Sequence, residues 1–201
     1  MERPFVEVID SEVPNNSVLI SVGLPGSWKS PVTEEISRRK GFQILRSDMI
    51  RLEVLKGEDI FDNRIASDPG RRMRVYEEMF RRAREFLKTS GEGLILDATF
   101  VKQDLRVEAA GIAREAGRPF VIVECVCSEE KSIERILKRT KENYESNALT
   151  REAYLNNKAI FEPIDLEALK RRLGGLLLLH LTVNTESNEA PDWIITKIDQ
   201  R

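Results

Sequence analysis

A chain of 201 residues, of which 41% are hydrophobic and 33% charged, can bury one substantial core and has the size of one α/β domain. Its 32 basic and 34 acidic side chains give a formal net charge of −2, which excludes a protein that acts mainly as a basic coat for nucleic acid. Two cysteines, Cys125 and Cys127, cannot form a disulfide framework and indicate reduced strand residues of a cytosolic protein.

Short apolar runs alternate along the chain with longer amphipathic segments, which is the pattern of a parallel sheet joined by crossover helices. Most of these runs are continuously apolar, as is typical of strands covered on both faces. The predicted strands are residues 17–22, 42–46, 93–96, 119–126 and 176–183. We therefore predict an α/β three-layer sandwich with helices on both faces of the sheet.

Predicted helices fill the segments between the strands. Gly41 and Gly117 end two of them, and Ser128 with the acidic residues after it is typical of a helix start. The helices are predicted over residues 32–40, 71–88, 103–115, 128–138, 151–160, 165–173 and 191–198, the last as a terminal helix. No repeat or low-complexity linker divides the sequence, so we predict a single domain over residues 1–201 with a polar lid insertion near residues 140–158.

The first predicted strand runs directly into Gly23-Leu24-Pro25-Gly26-Ser27-Trp28-Lys29-Ser30, and a helix follows. This is nearly the phosphate-binding pattern GxxxxGK[ST] in its strand-to-helix context. Glycines there let backbone N–H groups converge on phosphate oxygens, the ammonium of Lys29 reaches the outer phosphates, and the Ser30 hydroxyl binds Mg²⁺. The predicted nucleotide-binding residues of this loop are Gly23, Gly26, Ser27, Trp28, Lys29 and Ser30.

The loop departs from the pattern at the position before Lys29, where Trp28 replaces the last glycine. A side chain at that position is expected to crowd the phosphate, because the ligand contacts the main chain there. Pro31 removes a further N–H donor and makes Ser30 a candidate N-cap instead of a Mg²⁺ ligand. The loop therefore lacks two features of the pattern, the last glycine and one N–H donor, and both are expected to contact the phosphate.

Two further carboxylates follow predicted strands, at the sheet edge where the loop lies. Asp48 can accept the proton of an attacking hydroxyl, and Arg51, three residues on, can bind phosphate or substrate in the same cleft. An N-capping aspartate with an exposed arginine is the alternative. Asp97 is suited to bind Mg²⁺ or a water on Mg²⁺, and an N-cap or turn aspartate is the alternative. Together with the hydroxyl of Ser30, it completes the predicted metal ligands, which are Ser30 and Asp97.

Arginines form two further candidate sites. Arg135 and Arg139 are spaced four residues apart before the polar insertion, and arginines on a mobile lid can neutralise a transferred phosphoryl group. Exposure or pairing with glutamates is the alternative for both. Six arginines also crowd residues 71–84, which predicts either a groove for a polyanionic acceptor or a solvated amphipathic helix.

Taken together, the sequence resembles the small P-loop kinases grouped with the kinase domain of polynucleotide 5′-hydroxyl kinase and with zeta-toxin-like ATPases. The resemblance covers nearly the whole chain and rests on Gly23 to Ser30 apart from Trp28, Ser47-Asp48 with Arg51, Leu96-Asp97-Ala98-Thr99 with Arg106, Glu134-Arg135 with Arg139, Ser146-Asn147-Ala148 to Tyr154, and Phe161-Glu162-Pro163. It implies a P-loop NTPase fold with a five-stranded parallel sheet of order 2-3-1-4-5, together with ATP and Mg²⁺. The catalytic residues that it implies are Lys29, Asp48 as general base, Arg51 at the acceptor and Arg139 in the lid, with Arg135 assisting at the cofactor.

The function predicted on this basis is an ATP-dependent kinase that transfers the γ-phosphoryl group to a hydroxyl, with a polynucleotide 5′-hydroxyl or a nucleotide-like molecule as the favoured acceptor. The alternative is an inactive relative, natural or engineered, that keeps the fold without binding ATP productively. Trp28 and Pro31 favour the alternative. Lys29, Asp48, Arg51 and Asp97 are nevertheless all retained, and the combination indicates recent or deliberate damage to a working site.

The N-terminal residues include acidic side chains and lack an apolar segment, so no secretory signal is expected. The longest apolar stretch, residues 176–183, is far shorter than the roughly 20 residues that span a bilayer. We expect a cytoplasmic protein with no membrane association and no obligate protein partner.

Overall fold

The computed structural model describes residues 2–140 and 148–200, in which helices and strands surround one sheet. The strands are β1 (Arg3–Pro4), β2 (Val18–Val22), β3 (Gln43–Arg46), β4 (Leu94–Asp97), β5 (Phe120–Val126), β6 (Leu178–Asn184) and β7 (Ile194–Gln200). The helices are α1 (Phe5–Glu12), α2 (Lys29–Lys40), α3 (Ser47–Val54), α4 (Asn63–Ala66), α5 (Pro69–Thr89), α6 (Gln103–Glu115), α7 (Glu129–Leu137), α8 (Arg151–Ile160) and α9 (Leu166–Arg172), and a 3₁₀ helix spans Ala190–Asp192.

The sheet has seven strands over the described ranges, in the order β1-β7-β6-β5-β2-β4-β3. β2 pairs in parallel with β4 and β5, and the parallel part continues to β3 on one side and β6 on the other. β7 runs antiparallel to both β6 and β1. All five predicted strands form, and they lie in parallel in the order β3-β4-β2-β5-β6, which is 2-3-1-4-5 when these five are numbered along the chain. The prediction of a five-stranded, all-parallel sheet is wrong, because terminal segments extend one edge as antiparallel strands.

The predicted terminal helix over residues 191–198 is also wrong, because most of this segment belongs to β7. It pairs antiparallel with β6, from Ile194 opposite Asn184 to Gln200 opposite Leu179, with a register shift between Thr182 and Val183, and its Ile195 is fully buried in the core. Helix α1, which the sequence reading missed, packs beside this strand: the rings of Phe5 and Trp193 meet edge to face, with 5.4 Å between their centroids.

Helices cover both faces of the sheet, which confirms the α/β arrangement. β2 is buried along its whole length; its Ile20 joins a core with Met79 of α5, whereas its Leu19 joins a second core with Ile36 of α2. The carboxyl ends of β2, β3 and β4 meet at one edge of the sheet. No helix of the described part of the chain is long and apolar enough to cross a bilayer.

Helix α2 begins at Lys29, three residues before its predicted start, and Trp28 is its N-cap residue. Ser30 therefore lies inside the helix, and its interpretation as an N-cap is wrong. Pro31 falls in the first turn, where its missing N–H has no intrahelical acceptor in any case. Of the predicted lid near residues 140–158, residues 141–147 lie outside the described residues.

Candidate active site

A cleft of about 350 Å³ lies at the carboxyl edge of the parallel strands, where open α/β sheets bind their ligands. Its walls come from the loop before α2, the first turns of α2 and α3, and parts of α5 and α8. Of the predicted site residues, it brings together Gly26, Trp28, Lys29, Ser30, Asp48, Arg51, Asp97 and Arg139. Gly23, Ser27 and Arg135 lie outside the wall that the described residues form.

The loop before α2 is shaped by Gly26, whose φ of +82° lies in the left-handed region. A Cβ on this residue would collide with the backbone of Ser132 in α7, so only glycine allows the loop to pack this closely. The ammonium of Lys29 donates a hydrogen bond across the loop to the carbonyl of Leu24, with 2.9 Å between nitrogen and oxygen. Burial lowers the pKa of Lys29, and the carboxylate of Asp97 opposes that shift.

Trp28 has a left-handed backbone, with φ +62° and ψ +26°, a conformation that costs a non-glycine residue about 1–2 kcal/mol. Its indole stacks on the guanidinium of Arg135, with 4.2 Å between the ring centroid and Cζ. The indole Nε1 also donates to the carbonyl of Asn188 at 3.4 Å. A partly desolvated cation–π contact contributes about 1–2 kcal/mol, which offsets the backbone strain and anchors the indole beside the loop.

Arg135 is 4% exposed, and its guanidinium joins the loop before α2 to the segment after β6. It donates hydrogen bonds to the carbonyls of Gly26 at 3.3 Å and Thr185 at 2.7 Å, and to the side-chain oxygen of Asn188 at 2.9 Å. Because these donors are engaged within the protein, the arrangement supports a positioning residue for the loop rather than a group that reaches a ligand in the cleft.

Asp97 ends β4 with a carboxylate that is almost fully buried in the cleft wall. Its Oδ1 accepts a hydrogen bond from Ser21 at 2.8 Å, and its Oδ2 accepts one from Thr33 at 3.3 Å. Thr33 also donates to the carbonyl of Ser30 at 2.9 Å, which ties Asp97 to the first turn of α2. The sequence did not lead us to predict a role for Ser21 or Thr33. The available signal for Thr33 was that it follows Lys29 by about one helical turn.

Ser30 and Asp97 line the same cleft and offer a hydroxyl and a carboxylate oxygen. Over residues 2–140 and 148–200, no group of three or more His, Cys, Asp or Glu side chains could hold a metal ion. Mg²⁺ does not need such a group, because it keeps several waters and takes one or two protein oxygens together with substrate phosphates. The oxygen ligands present therefore fit Mg²⁺.

Asp48 lies in the first turn of α3, whose N-cap residue is Arg46, so the alternative of an N-capping Asp48 is wrong. Burial raises the pKa of Asp48, although Arg51, whose Nε lies 4.0 Å from Oδ1, opposes the shift. Arg139 follows α7, lines the cleft and donates from Nη1 to the carbonyl of Ala148 at 3.2 Å. The cleft thus combines a carboxylate of raised basicity with several cations.

Two curated mycobacterial proteins are similar to part of this chain. The proteins named "Uncharacterized protein Rv2004c" of Mycobacterium tuberculosis (strain ATCC 25618 / H37Rv) and "Uncharacterized protein Mb2027c" of Mycobacterium bovis are each 28% identical over 132 residues. The match covers 63% of this chain and 26% of either relative, so the chain spans about a quarter of the length of these relatives.

Three solved structures share the fold at low sequence identity. A "putative kinase" from Chloroflexus aurantiacus has a TM-score of 0.62 at 19% identity, over 86% of this chain and 90% of that one. A gluconokinase from Sinorhizobium meliloti 1021 has a TM-score of 0.52 at 17% identity, over 85% and 84%. The AvrRxo1-ORF1:-ORF2 structure with ATP has a TM-score of 0.57 at 13% identity, over 96% and 61%.

These likenesses show an α/β fold of the P-loop kinase type, here with a mixed seven-stranded sheet. The family model described as "AAA domain" matches residues 18–164, which include the loop before α2 and the walls of the cleft. With that match over most of its length, the chain belongs to the AAA domain family.

Proposed function

We propose that the protein is a kinase that transfers the γ-phosphoryl group of ATP to a hydroxyl of an acceptor, as a single P-loop kinase-like domain that acts in the cytoplasm. The observation that carries the proposal is one cleft lined by Lys29 and Ser30 of the loop–helix junction, by Asp97 and by Asp48. These four residues supply an ammonium, a hydroxyl and two carboxylates, the groups that phosphoryl transfer uses.

The donor side of the cleft suits the phosphates of ATP. The first N–H groups of a helix lack intrahelical acceptors and attract anions, so the start of α2 together with Lys29 would hold the phosphates. Ser30 and Asp97 would hold Mg²⁺, which when bound neutralises charge on the phosphoryl oxygens. The neighbour AvrRxo1-ORF1:-ORF2, solved with ATP, supports nucleotide binding on this fold.

On the acceptor side, Asp48 would act as the general base. Its carboxylate would take the proton of the acceptor hydroxyl as the hydroxyl oxygen bonds to the γ-phosphorus and the bond from phosphorus to the ADP oxygen breaks. Arg139 would stabilise the charge on the transferred group. Arg51, one helical turn from Asp48, would face the acceptor.

An inactive relative is less well supported than an enzyme, because Trp28 keeps the left-handed backbone that a glycine would adopt and Pro31 lies in the first turn of α2. For the acceptor, the resemblance to polynucleotide kinase and zeta-toxin-like ATPases supports a nucleic-acid 5′-hydroxyl or a nucleotide-like molecule. The gluconokinase among the structural neighbours adds a sugar acid as a second class to test.

Titration with ATP and Mg²⁺, followed by tryptophan fluorescence, tests the donor side. Trp28 lines the cleft, whereas Trp193 is 2% exposed, so we expect the signal to come from Trp28 and to vanish in Trp28→Phe. Wild type is expected to bind at micromolar levels, and Lys29→Met about tenfold or more weakly, because a phosphate ligand loses a charge-assisted partner. Lys56→Met, at an exposed position, is the control and should bind as wild type does. Equal affinities of wild type and Lys29→Met would contradict the proposal.

The double variant Trp28→Gly, Pro31→Thr tests whether the departures from the loop pattern matter. Because the backbone of Trp28 already has the glycine-like conformation, we expect the double variant to bind ATP within about tenfold of wild type. Calorimetric titration of both chains measures this. A restored affinity several hundredfold above wild type would instead support the inactive relative.

A further inference from the structure

Phe100, in the turn between β4 and α6, has a φ of +44°, in the left-handed region that bulky residues rarely adopt. Its side chain is fully buried, and its ring lies edge to face with that of Tyr76 in α5, with 5.3 Å between the centroids. Such a conformation persists only where the surrounding structure holds it, and strained residues of this kind cluster at functional sites. The turn follows Asp97 and Thr99, which line the cleft. The contacts that hold Phe100 are therefore candidates for a role in the site.

The peptide group between Thr99 and Phe100 is bound on both of its sides. Its carbonyl oxygen, from Thr99, accepts a hydrogen bond from the N–H of Gly23 at 3.3 Å. Its N–H, from Phe100, donates to the hydroxyl oxygen of Tyr76 at 3.0 Å. Because a trans peptide group is planar, its C=O and N–H point in opposite directions and turn together. A rotation that breaks one of these two hydrogen bonds therefore breaks the other.

Tyr76 is fixed firmly enough to set the orientation of this peptide group. It is 3% exposed, and its ring packs between those of Phe100 and Phe80, with 5.8 Å to the centroid of Phe80. On the other side of Phe100, the carbonyl oxygen of Phe100 itself accepts a hydrogen bond from Nε of Arg106 at 2.8 Å. The two peptide groups that flank the Cα of Phe100 are thus both held, which maintains the strained φ.

Gly23 carries the effect of this peptide group into the loop before α2. A Cβ on Gly23 would lie 2.6 Å from both the carbonyl oxygen of Cys125 and the Oγ of Ser27, so the chain is closely packed where it leaves β2. The next residue, Leu24, supplies the carbonyl to which the ammonium of Lys29 donates. A shift of Gly23 would therefore move the hydrogen-bond partner of Lys29.

We infer that Tyr76 is a positioning residue for the loop before α2: its hydroxyl holds the strained peptide group between Thr99 and Phe100, which in turn holds Gly23. The inference rests on the proposed function, which it deepens, because that function assigns the phosphates of ATP to this loop. Without the hydroxyl, the N–H of Phe100 loses its acceptor, and the peptide group can rotate toward an unstrained φ and release Gly23. A loop that must first be ordered binds its ligand more weakly.

Amide hydrogen exchange in the ligand-free full chain tests the inference without nucleotide. Exchange of the Gly23 amide is followed by NMR and divided by that of the Ile20 amide, in the centre of β2, so that a general loss of stability cancels. We expect the normalised rate to be about tenfold higher in Tyr76→Phe than in wild type, because the amide reports the opening of its own hydrogen bond.

Phe80→Leu is the matched control for a disturbance of packing. Phe80 belongs to the same helix and the same aromatic cluster and is 4% exposed, but it has no hydroxyl to offer the turn. Its normalised Gly23 rate should stay within about twofold of wild type, even where its melting temperature falls by as much as that of Tyr76→Phe. Equal rates in wild type and Tyr76→Phe, or an equal increase in both variants, overturn the inference.

Calorimetric titration with MgATP measures the consequence for binding. We expect Tyr76→Phe to bind about fivefold more weakly than wild type, the effect of about one hydrogen bond, and Phe80→Leu to bind within about twofold of wild type. Equal affinities of wild type and Tyr76→Phe contradict the inference. A wild type that binds no MgATP contradicts the proposed function instead, and the exchange rates then still decide whether Tyr76 holds the loop.

Discussion

An Asp48→Asn chain is expected to transfer the phosphoryl group 10²–10⁴ times more slowly than wild type, the usual contribution of a positioned general base. The amide cannot accept the proton of the acceptor hydroxyl, although its shape matches the carboxylate. ATP affinity should stay within about threefold of wild type, because Asp48 is proposed to act on the acceptor side. Single-turnover measurement of labelled γ-phosphate transfer separates the chemical step from binding.

The pH dependence of this rate follows from the environment of Asp48. Burial raises its pKa above the usual 3.8, and only the ionised carboxylate can take the proton. The wild-type rate should therefore increase with pH through the raised pKa and level off above it, and Asp48→Asn should lack this limb. Asp104→Asn, at an exposed position in α6, should keep both rate and profile. An unchanged acidic limb in Asp48→Asn would assign the base to another group.

Arg106→Met is expected to lower the free energy of unfolding by about 3 kcal/mol or more, which is about 6–12 °C in melting temperature for a chain of this length. Arg106 is fully buried. Its guanidinium donates to the carbonyls of Phe100 at 2.8 Å, Glu162 at 2.7 Å and Pro163 at 3.0 Å, and it lies 5.2 Å from the ring centroid of Phe161. Methionine fills much of the volume but leaves these carbonyls without a donor.

Thermal and urea unfolding of the variant measure this loss. Arg114→Met is the matched control, because Arg114 belongs to the same helix and is exposed, with one long hydrogen bond of 3.4 Å to the carbonyl of Arg172. The control should change stability by no more than about 0.5 kcal/mol. If the two variants were equally stable, the hydrogen bonds of Arg106 would contribute little to the anchoring of the segment that follows α8.

Most elements of the fold could be predicted because their signals are local. The helices predicted over residues 71–88, 103–115 and 151–160 form within two residues of those bounds, since apolar periodicity and capping residues lie within each segment. The segment over residues 191–198 could not be assigned in the same way. Its apolar residues suit a helix or a strand, and antiparallel pairing with the preceding strand, β6, decides for the strand.

The residues of the candidate site also differ in whether the sequence could predict them. Lys29, Ser30, Asp48 and Asp97 were predictable, because each follows a predicted strand and the carboxyl ends of parallel strands meet at one edge. The position of Arg72 in the cleft wall was not predictable. The six arginines over residues 71–84 look alike in the sequence, and only the packing of α5 decides that Arg72, of the six, lines the cleft.

By itself, the sequence determined the strand–loop–helix unit formed by β2 and α2, the order of the parallel elements along the chain and the residue types available at their ends, because these depend on local pattern. Tertiary structure alone decided that Trp28 stacks on Arg135, that Arg106 is buried among carbonyls and that Arg51 and Arg72 share a cleft. Burial and pairing depend on contacts between residues distant in sequence, so the energies of these charged groups are set only when the chain is packed.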